Sequence, residues 1–369
     1  MVVIWKGRLP REIFDIGQQG YVGAEPVVYP EGVEVIDCGL GTNPLGMPES
    51  LCRFLGGDRG CNLCDYPAPE PEDLKAAIAG AHGCWKLSAE QVLVGGGSMG
   101  VLVTLVRLLL RPGSVMAGVS PQFTDTILQA LYNGASYEPV PLEPPHYTMK
   151  TSRLLEALEK KPEVLYLDRP NNPTGQVLPL DDVARLARAA MEKGTWVISD
   201  EAYGDFLPDD ESAAVLDFPN LVTCRSFSKG PGAAGIRAGF AVIRDAELAA
   251  LFRKVQPPFV IGALDVRMAL EILKDKAFLR ETRAYVRMAK TRALDVAWHK
   301  RGWSAADTDD RVPIFLLSQE SGSLVQRLAA AGISCEGGSG YFGMDDRSVR
   351  LRVPAPAQLE AFLERLASA

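Results

Sequence analysis

Two rhythms of hydrophobic and polar positions run along this chain. Residues 163–168 and 195–200 are short, nearly continuous apolar runs that each end in Asp. Runs of this length predict strands buried on both faces of a sheet. Between them, 180–193 places apolar residues at helical spacing with charges opposite, which predicts an amphipathic helix. Strand, helix and strand in that order form a βαβ unit and imply a parallel sheet. Upstream, 88–94 leads into Gly95-Gly96-Gly97-Ser98, and 99–110 reads as an apolar helix that stops at Arg111-Pro112-Gly113. Residues 115–119 and 136–140 read as short strands, and 220–225 and 237–243 add two more. Beyond Ala246 the pattern turns helical, with one long helix over 279–301. The tail mixes helices with short strands at 313–317 and 349–353, an α+β pattern.

The length of 369 residues suits two domains, at roughly 150 residues each. The expected architecture has three parts. An irregular arm over 1–36 packs on the small domain or on a dimer partner. A large α/β domain over 37–275 has a mostly parallel central sheet with helices on both faces. A small α+β domain fills 276–369. Apolar residues make up 47% of the chain and charged residues 23%, a globular mix that excludes a mainly disordered chain. Lys and Arg number 39 against 46 Asp and Glu, a formal charge of −7, which argues against binding nucleic-acid phosphates. The most apolar stretch, 101–119, is interrupted by Arg107, Arg111 and Pro112, so no membrane span is expected. The first residues lack the long apolar segment of a secretory signal, which makes the cytoplasm the expected compartment. Seven Cys, an odd number, argue against a disulfide framework. Cys61-Asn62-Leu63-Cys64 is a lone CxxC without a second ligand pair at zinc spacing, so no metal is expected. A redox or metal role for Cys52, Cys61 and Cys64 is the minor alternative.

Four segments carry the candidate chemistry: Asn171-Asn172-Pro173-Thr174-Gly175, Asp200-Glu201-Ala202-Tyr203, Ser226-Phe227-Ser228-Lys229 and Gly235-Ile236-Arg237. Each follows a predicted strand or leads into one, where open α/β sheets gather ligands. Lys229 lies in a Gly/Ser-rich loop and is a candidate to form a Schiff base with a carbonyl cofactor. Neighbouring hydroxyls and the planar fork of Arg237 suit a phosphate. Asp200 ends an apolar strand, where a carboxylate needs a partner; a protonated pyridine nitrogen is one such partner, and a helix cap is the plain alternative. Asn172 and Tyr203 are polar groups within reach of such a ring, although Asn172-Pro173-Thr174-Gly175 also reads as a simple turn. The glycines before Ser98 open a helix and suit a phosphate cradle.

Taken together, these segments resemble the fold type I pyridoxal-phosphate aminotransferases, and more narrowly the histidinol-phosphate aminotransferase group, which also contains the threonine-phosphate decarboxylases. The resemblance runs from about Asp37 to the C-terminus. It includes Asn43-Pro44-Leu45-Gly46-Met47-Pro48, Tyr66-Pro67-Ala68-Pro69, Ala234-Gly235-Ile236-Arg237-Ala238-Gly239-Phe240 and Val349-Arg350-Leu351-Arg352-Val353. It implies that Lys229 holds pyridoxal 5'-phosphate as a Schiff base and later moves the α-proton. Asp200 would pair with the pyridinium, and Asn172 and Tyr203 would contact the 3-oxygen. Gly97, Ser98, Met99, Ser226, Ser228 and Arg237 would form the phosphate cup, with Phe123 on the ring face. Tyr66 would reach the cofactor of a neighbouring subunit, which implies a homodimer. Asn43, Arg350, Glu336 and Arg352 are the expected substrate contacts, with Arg350 on the α-carboxylate and Arg352 on the same strand face by alternation.

The chain departs from the group at Phe123, where Tyr is common, at Gly41, which replaces the first Asn of NxNP, and at Gly100, where an acidic residue is usual. Glu336 falls where relatives carry an Arg for a substrate phosphate, so a neutral or cationic distal group on the substrate is expected. The implied activity is transamination of a small amino acid or amine, with a 2-oxo acid as possible acceptor. A lyase acting by decarboxylation, elimination or cyclisation is the alternative. A cofactor-binding regulator would need a DNA-binding module, for which the arm is too short.

Overall fold

The structure, a computed structural model, describes residues 13, 15–17, 20, 27–57 and 63–369. Most of the expected arm, and Cys61, lie outside the described residues. The elements in chain order begin with β1 (Ile36–Asp37), α1 (Glu49–Gly56), α2 (Glu72–Ala81), β2 (Val92–Gly96) and α3 (Gly97–Leu109). They continue with β3 (Val115–Ser120), α4 (Thr124–Tyr132), β4 (Ser136–Pro141), α5 (Thr151–Leu158), β5 (Val164–Asp168), α6 (Leu180–Lys193) and β6 (Trp196–Glu201). Next are β7 (Leu221–Ser226), β8 (Ala238–Ile243), α7 (Ala246–Val255), α8 (Ala263–Lys274) and α9 (Lys276–Trp298). The last group is β9 (Trp303–Ala305), β10 (Ile314–Gln319), α10 (Leu324–Ala330), β11 (Ile333–Ser334), β12 (Glu336–Gly337), β13 (Ser348–Arg352) and α11 (Leu359–Ser368).

Seven strands form the central sheet in the order β2-β8-β7-β6-β5-β3-β4. All pairings are parallel except those of β8, which runs against both of its neighbours. β5, β7 and β8 are buried along their whole length, as expected of strands covered on both faces. Alternation divides them. Leu165, Leu167 and Val197 pack with α5 and α6, whereas Val164, Tyr166 and Ile198 pack with α3 and α7. A third cluster fills the space between the sheet and α1, α2 and α8. The sheet is thus covered on both faces, as the strand patterning predicts.

The C-terminal strands form an antiparallel sheet, β12-β13-β10-β9. The long helix expected over 279–301 starts earlier, at Lys276, because Asp275 caps it by accepting from the backbone N–H of Phe278 at 3.1 Å. The boundary expected after residue 36 falls inside the two-residue strand β1. Ile36 and Asp37 pair with Ile333 and Ser334 of β11, and Arg352 donates to the carbonyls of Asp37 and Leu40. The residues just after the boundary are therefore stitched to the C-terminal strands. A two-residue strand has no periodicity to read, which is why the sequence pattern does not reveal this pairing. Among the described residues no helix is long and apolar enough to cross a membrane, and no group of His, Cys, Asp or Glu could hold a metal ion.

Lys290 on α9 is fully buried. Its three N–H groups are shared among four oxygens: Thr308 Oγ1 and the Asp309 carbonyl, both at 2.6 Å, the Ile314 carbonyl at 2.8 Å and the Val312 carbonyl at 2.9 Å. It pins the strand-bearing loop to the helix, and removing it would leave buried oxygens without donors. Lys290→Met is expected to lower unfolding stability by about 3 kcal/mol, measured by urea titration. Lys254→Met, at an exposed position of α7, should change it by less than about 0.5 kcal/mol.

Candidate active site

The reversed direction of β8 shapes the site. In parallel strands, ligand-binding groups collect at the carboxyl edge. Because β8 is antiparallel, its first residue lies at that same edge: Ala238 stands opposite Gly96, where β2 ends, and Gly239 stands opposite Ser226, where β7 ends. Arg237, one residue earlier, is thereby delivered to the N-terminus of α3. The fit is tight. A Cβ on Gly97 would lie 2.8 Å from Arg237 Nη2, and one on Gly239 would collide with the Gly97 carbonyl carbon and the Ser98 nitrogen. Gly97 also has φ +73°, which favours glycine. Arg237 Nη1 donates to Ser228 Oγ at 3.3 Å and to the Ala234 carbonyl at 2.9 Å, and Ser228 N donates to Ser226 Oγ at 3.1 Å. The structure thus gathers Gly97, Ser98, Ser226, Ser228 and Arg237 around one helix N-terminus, with Met99 half-buried in the first turn. Hydroxyls, a guanidinium and helix N–H groups together form a donor set suited to an anion.

Lys229 follows in the same loop and is half-buried. Its Nζ stands 5.4 Å from the centroid of the buried Tyr203 ring. The chain at Gly41 passes directly above: a Cβ there would lie 2.9 Å from Lys229 Nζ and closer still to Tyr203 Oη. The Gly at this position therefore has a steric reason. Burial pulls the Lys229 ammonium down to about 8, the positive charges of Arg350 and Arg237 add to the shift, and Glu336 and Asp200 oppose it.

Asn43, an expected substrate contact, is tied into the protein close to Lys229. Its Nδ2 donates to the Gly230 carbonyl at 2.7 Å and to Thr282 Oγ1 at 3.2 Å, and its Oδ1 accepts from Leu45 N at 2.8 Å. Through these bonds Asn43 clamps the peptide that follows Lys229.

Asp200 is buried at the end of β6. It accepts from Tyr166 Oη at 2.9 Å and from Ala202 N at 3.1 Å, and burial raises its carboxyl to about 6. Register sets Asp168 beside it at the end of β5. Asp168, which sequence reasoning did not select, is also buried. Its Oδ2 accepts from Asn172 N at 2.8 Å and from Phe123 N at 3.0 Å, and its Oδ1 accepts from Asn171 Nδ2 at 2.9 Å. The signal was available: both residues are carboxylates closing apolar strands. Behind them, the buried Glu201 is matched by Arg169 at 3.2 Å and Arg225 at 3.5 Å, and Arg225 also reaches Asp205 at 2.5 Å. Removing one partner of such a buried network costs several kcal/mol.

Arg350 and Glu336 face each other by register, and their side chains pair at 2.5 Å. Arg350 also donates to Asn172 Oδ1 at 3.2 Å and to the Gly39 carbonyl. Tyr341 Oη donates to the same Asn172 Oδ1 at 3.0 Å. With that oxygen held by two donors, Asn172 is oriented so that its Nδ2 is the atom able to serve a ligand oxygen. Arg352 does not join Arg350. Its guanidinium is spent on the carbonyls of Leu40 at 2.6 Å, Asp37 at 2.6 Å and Val353 at 2.7 Å, and on Asp37 Oδ2 at 3.2 Å. Alternation predicted its face but not these partners. Phe123 caps the start of α4, half-buried beside the acid pair. Tyr66 is 83% exposed and stacks on Phe259, ring centroids 4.9 Å apart.

Comparison with known proteins identifies the family. Residues 59–366 match the family described as aminotransferase class I and II. The histidinol-phosphate aminotransferase of Symbiobacterium thermophilum is 34% identical over 332 residues, 89% of this chain and 88% of that protein. The histidinol-phosphate aminotransferase of Sinorhizobium meliloti, solved with pyridoxal-5'-phosphate, superposes with a TM-score of 0.78 at 24% identity, covering 94% of this chain and 95% of the other. That of Clostridium acetobutylicum gives a TM-score of 0.81 at 20% identity, covering 90% and 98%. With the family matched over most of its length and the fold shared throughout, the chain belongs to the class I and II aminotransferases and is a pyridoxal-phosphate-dependent enzyme of fold type I.

Proposed function

We propose that this enzyme transfers the amino group of a small amino acid or amine to a 2-oxo acid, in the manner of the histidinol-phosphate aminotransferases, with Lys229 as its proton carrier. The observation that carries the reading is the position of Lys229 between an anion-binding donor set and a buried carboxylate. The cofactor fits what is there. The glycine cradle at Gly97 and Gly239, with Ser98, Met99, Ser226, Ser228 and Arg237, suits its phosphate. Asp200 suits its ring nitrogen, Asn172 Nδ2 and the Tyr203 hydroxyl suit its 3-oxygen, and Phe123 suits its ring face. Bound pyridoxal phosphate supplies an electron sink for the α-carbon of the amino substrate.

The chain's own groups divide the remaining work. Lys229 Nζ, brought down to about 8, is neutral in a useful fraction near pH 7.5 and lifts the α-proton. The protonated amine would then hand that proton to the cofactor side of the new C–N bond, because giving it back to the α-carbon would only regenerate the substrate. The peptide at Gly41 covers Nζ and limits access of water. Arg350 is the group for a substrate carboxylate, which must share it with Glu336. Glu336 is committed to that ion pair at the carboxylate end, so it does not by itself select the distal group of the substrate. The exposed Tyr66–Phe259 stack supports a homodimer in which Tyr66 reaches the neighbour's cofactor. The reading keeps a large cofactor-binding domain over 37–275, less the stitched 37–40 segment, and a small domain over 276–369.

Three results test this. In cofactor-free protein, acetylation of Lys229 by acetic anhydride should rise with pH to a midpoint near 8, because only the deprotonated amine reacts; a midpoint above 10 would remove the proposed base. Lys229→Ala should abolish the visible band of the holoenzyme and the half-reaction to pyridoxamine phosphate across a panel of amino acids, at least 10³-fold. Carbon dioxide or ammonia released by the wild type in place of that product would instead identify a lyase. Tyr66→Phe should weaken cofactor binding about tenfold. A hybrid with a Lys229→Ala subunit should restore wild-type affinity at its one intact lysine; a hybrid as weak as the Tyr66→Phe homodimer would show that Tyr66 serves its own subunit.

A further inference from the structure

Asp168 holds together two loops that the candidate site needs. Its Oδ2 accepts from the backbone of Phe123, at the start of α4, and from the backbone of Asn172, after β5. Its Oδ1 takes Asn171 Nδ2. Asn171 in turn reaches the Pro121 carbonyl at 3.2 Å and accepts from Thr174 Oγ1 at 2.6 Å, so the same hub closes the turn through Thr174. Three donors on two oxygens require a group that only accepts. A protonated carboxyl would point its hydrogen at a donor, and an Asn would set its NH₂ against Asn171 Nδ2 or the two backbone N–H groups. The carboxylate is therefore the form this geometry selects.

Asp168 also shares a sheet face with Asp200. Both follow the alternation of Tyr166 and Ile198, and they are paired across neighbouring strands, about 5 Å apart at Cα. The titratable groups facing Asp168 are Asp200 on β6, Tyr166 on its own strand and Tyr137 on β4. Burial pushes Asp168 up to about 7, its three donors pull it back, and the Asp200 charge adds a smaller upward push.

We propose that Asp168 is a positioning residue for the cofactor ring: it fixes Phe123 and Asn172 relative to Asp200 and places a second negative charge beside that carboxylate. This rests on the cofactor placement proposed above. A pure packing role would not require the charge.

The test uses Asp168→Asn, with Asn171→Ala as a second variant that keeps the charge but cuts the tie on Oδ1. Both are prepared without cofactor, checked by far-ultraviolet circular dichroism and titrated with pyridoxal phosphate. For Asp168→Asn, the dissociation constant is expected to rise at least tenfold. The induced circular dichroism of the bound cofactor, which reports a fixed ring tilt, should fall by half or more. The pH midpoint of its visible band should drop by about one unit, because a nearby negative charge no longer favours the protonated chromophore. For Asn171→Ala, the dichroism should fall while the midpoint stays within about 0.3 units. A folded Asp168→Asn protein with wild-type affinity, dichroism and midpoint would overturn the proposal. If Asp168→Asn does not fold, unchanged dichroism in Asn171→Ala would overturn it. Absence of a visible band in the wild type would instead bring down the placement on which it rests.

Discussion

One strand running the wrong way governs the site. Were β8 parallel to its neighbours, residue 237 would sit at the far edge of the sheet, away from the start of α3 and from the lysine loop. Reversal lets a loop of about ten residues leave the carboxyl end of β7, present Ser228 and Lys229, and re-enter the sheet at Arg237 beside Gly97. The price is steric, and glycines at 97 and 239 meet it. Positive and negative groups are thereby concentrated at one edge of a covered sheet, where solvent screens them little.

That concentration gives the site its acid–base character. Lys229 is driven toward its neutral form by burial and by two guanidinium groups, while Glu336 and Asp200 limit the effect. Asp200 is driven toward its protonated form by burial, yet it keeps two donors that favour the anion. The two groups are thus shifted in opposite directions by the same burial. Salt networks such as Arg169–Glu201–Arg225–Asp205 lie immediately behind and keep the strand ends from shifting.

Much of this was legible in the residue pattern. The apolar strands ending in Asp, the Gly/Ser-rich lysine loop and the glycines before α3 each carry a local signature, and the sheet and its helices follow from periodicity. Partners across the fold were not legible. Alternation gives Arg352 its face, but the carbonyls of residues 37 and 40 that occupy it come from the other end of the chain. Asn43 lies in a recognisable motif, yet its bond to the Gly230 carbonyl spans the interior of the molecule. The pairing of Glu336 with Arg350 depends on the register of a two-residue strand. Asp168 could have been found by the argument that singled out Asp200; nothing in the local pattern revealed that three donors converge on it.

The short segment between residues 37 and 43 has a mechanical consequence. At one end Arg352 and β11 fasten it to the C-terminal strands, and at the other Asn43 fastens it to the peptide that follows Lys229. The few bonds between these anchors form a strap across the amine, with a residue lacking a side chain at its midpoint. Any tilt of the C-terminal sheet against the central one must be taken up in those bonds, so a displacement of the strand that carries Arg350 would be felt at Lys229 Nζ as a change in headroom.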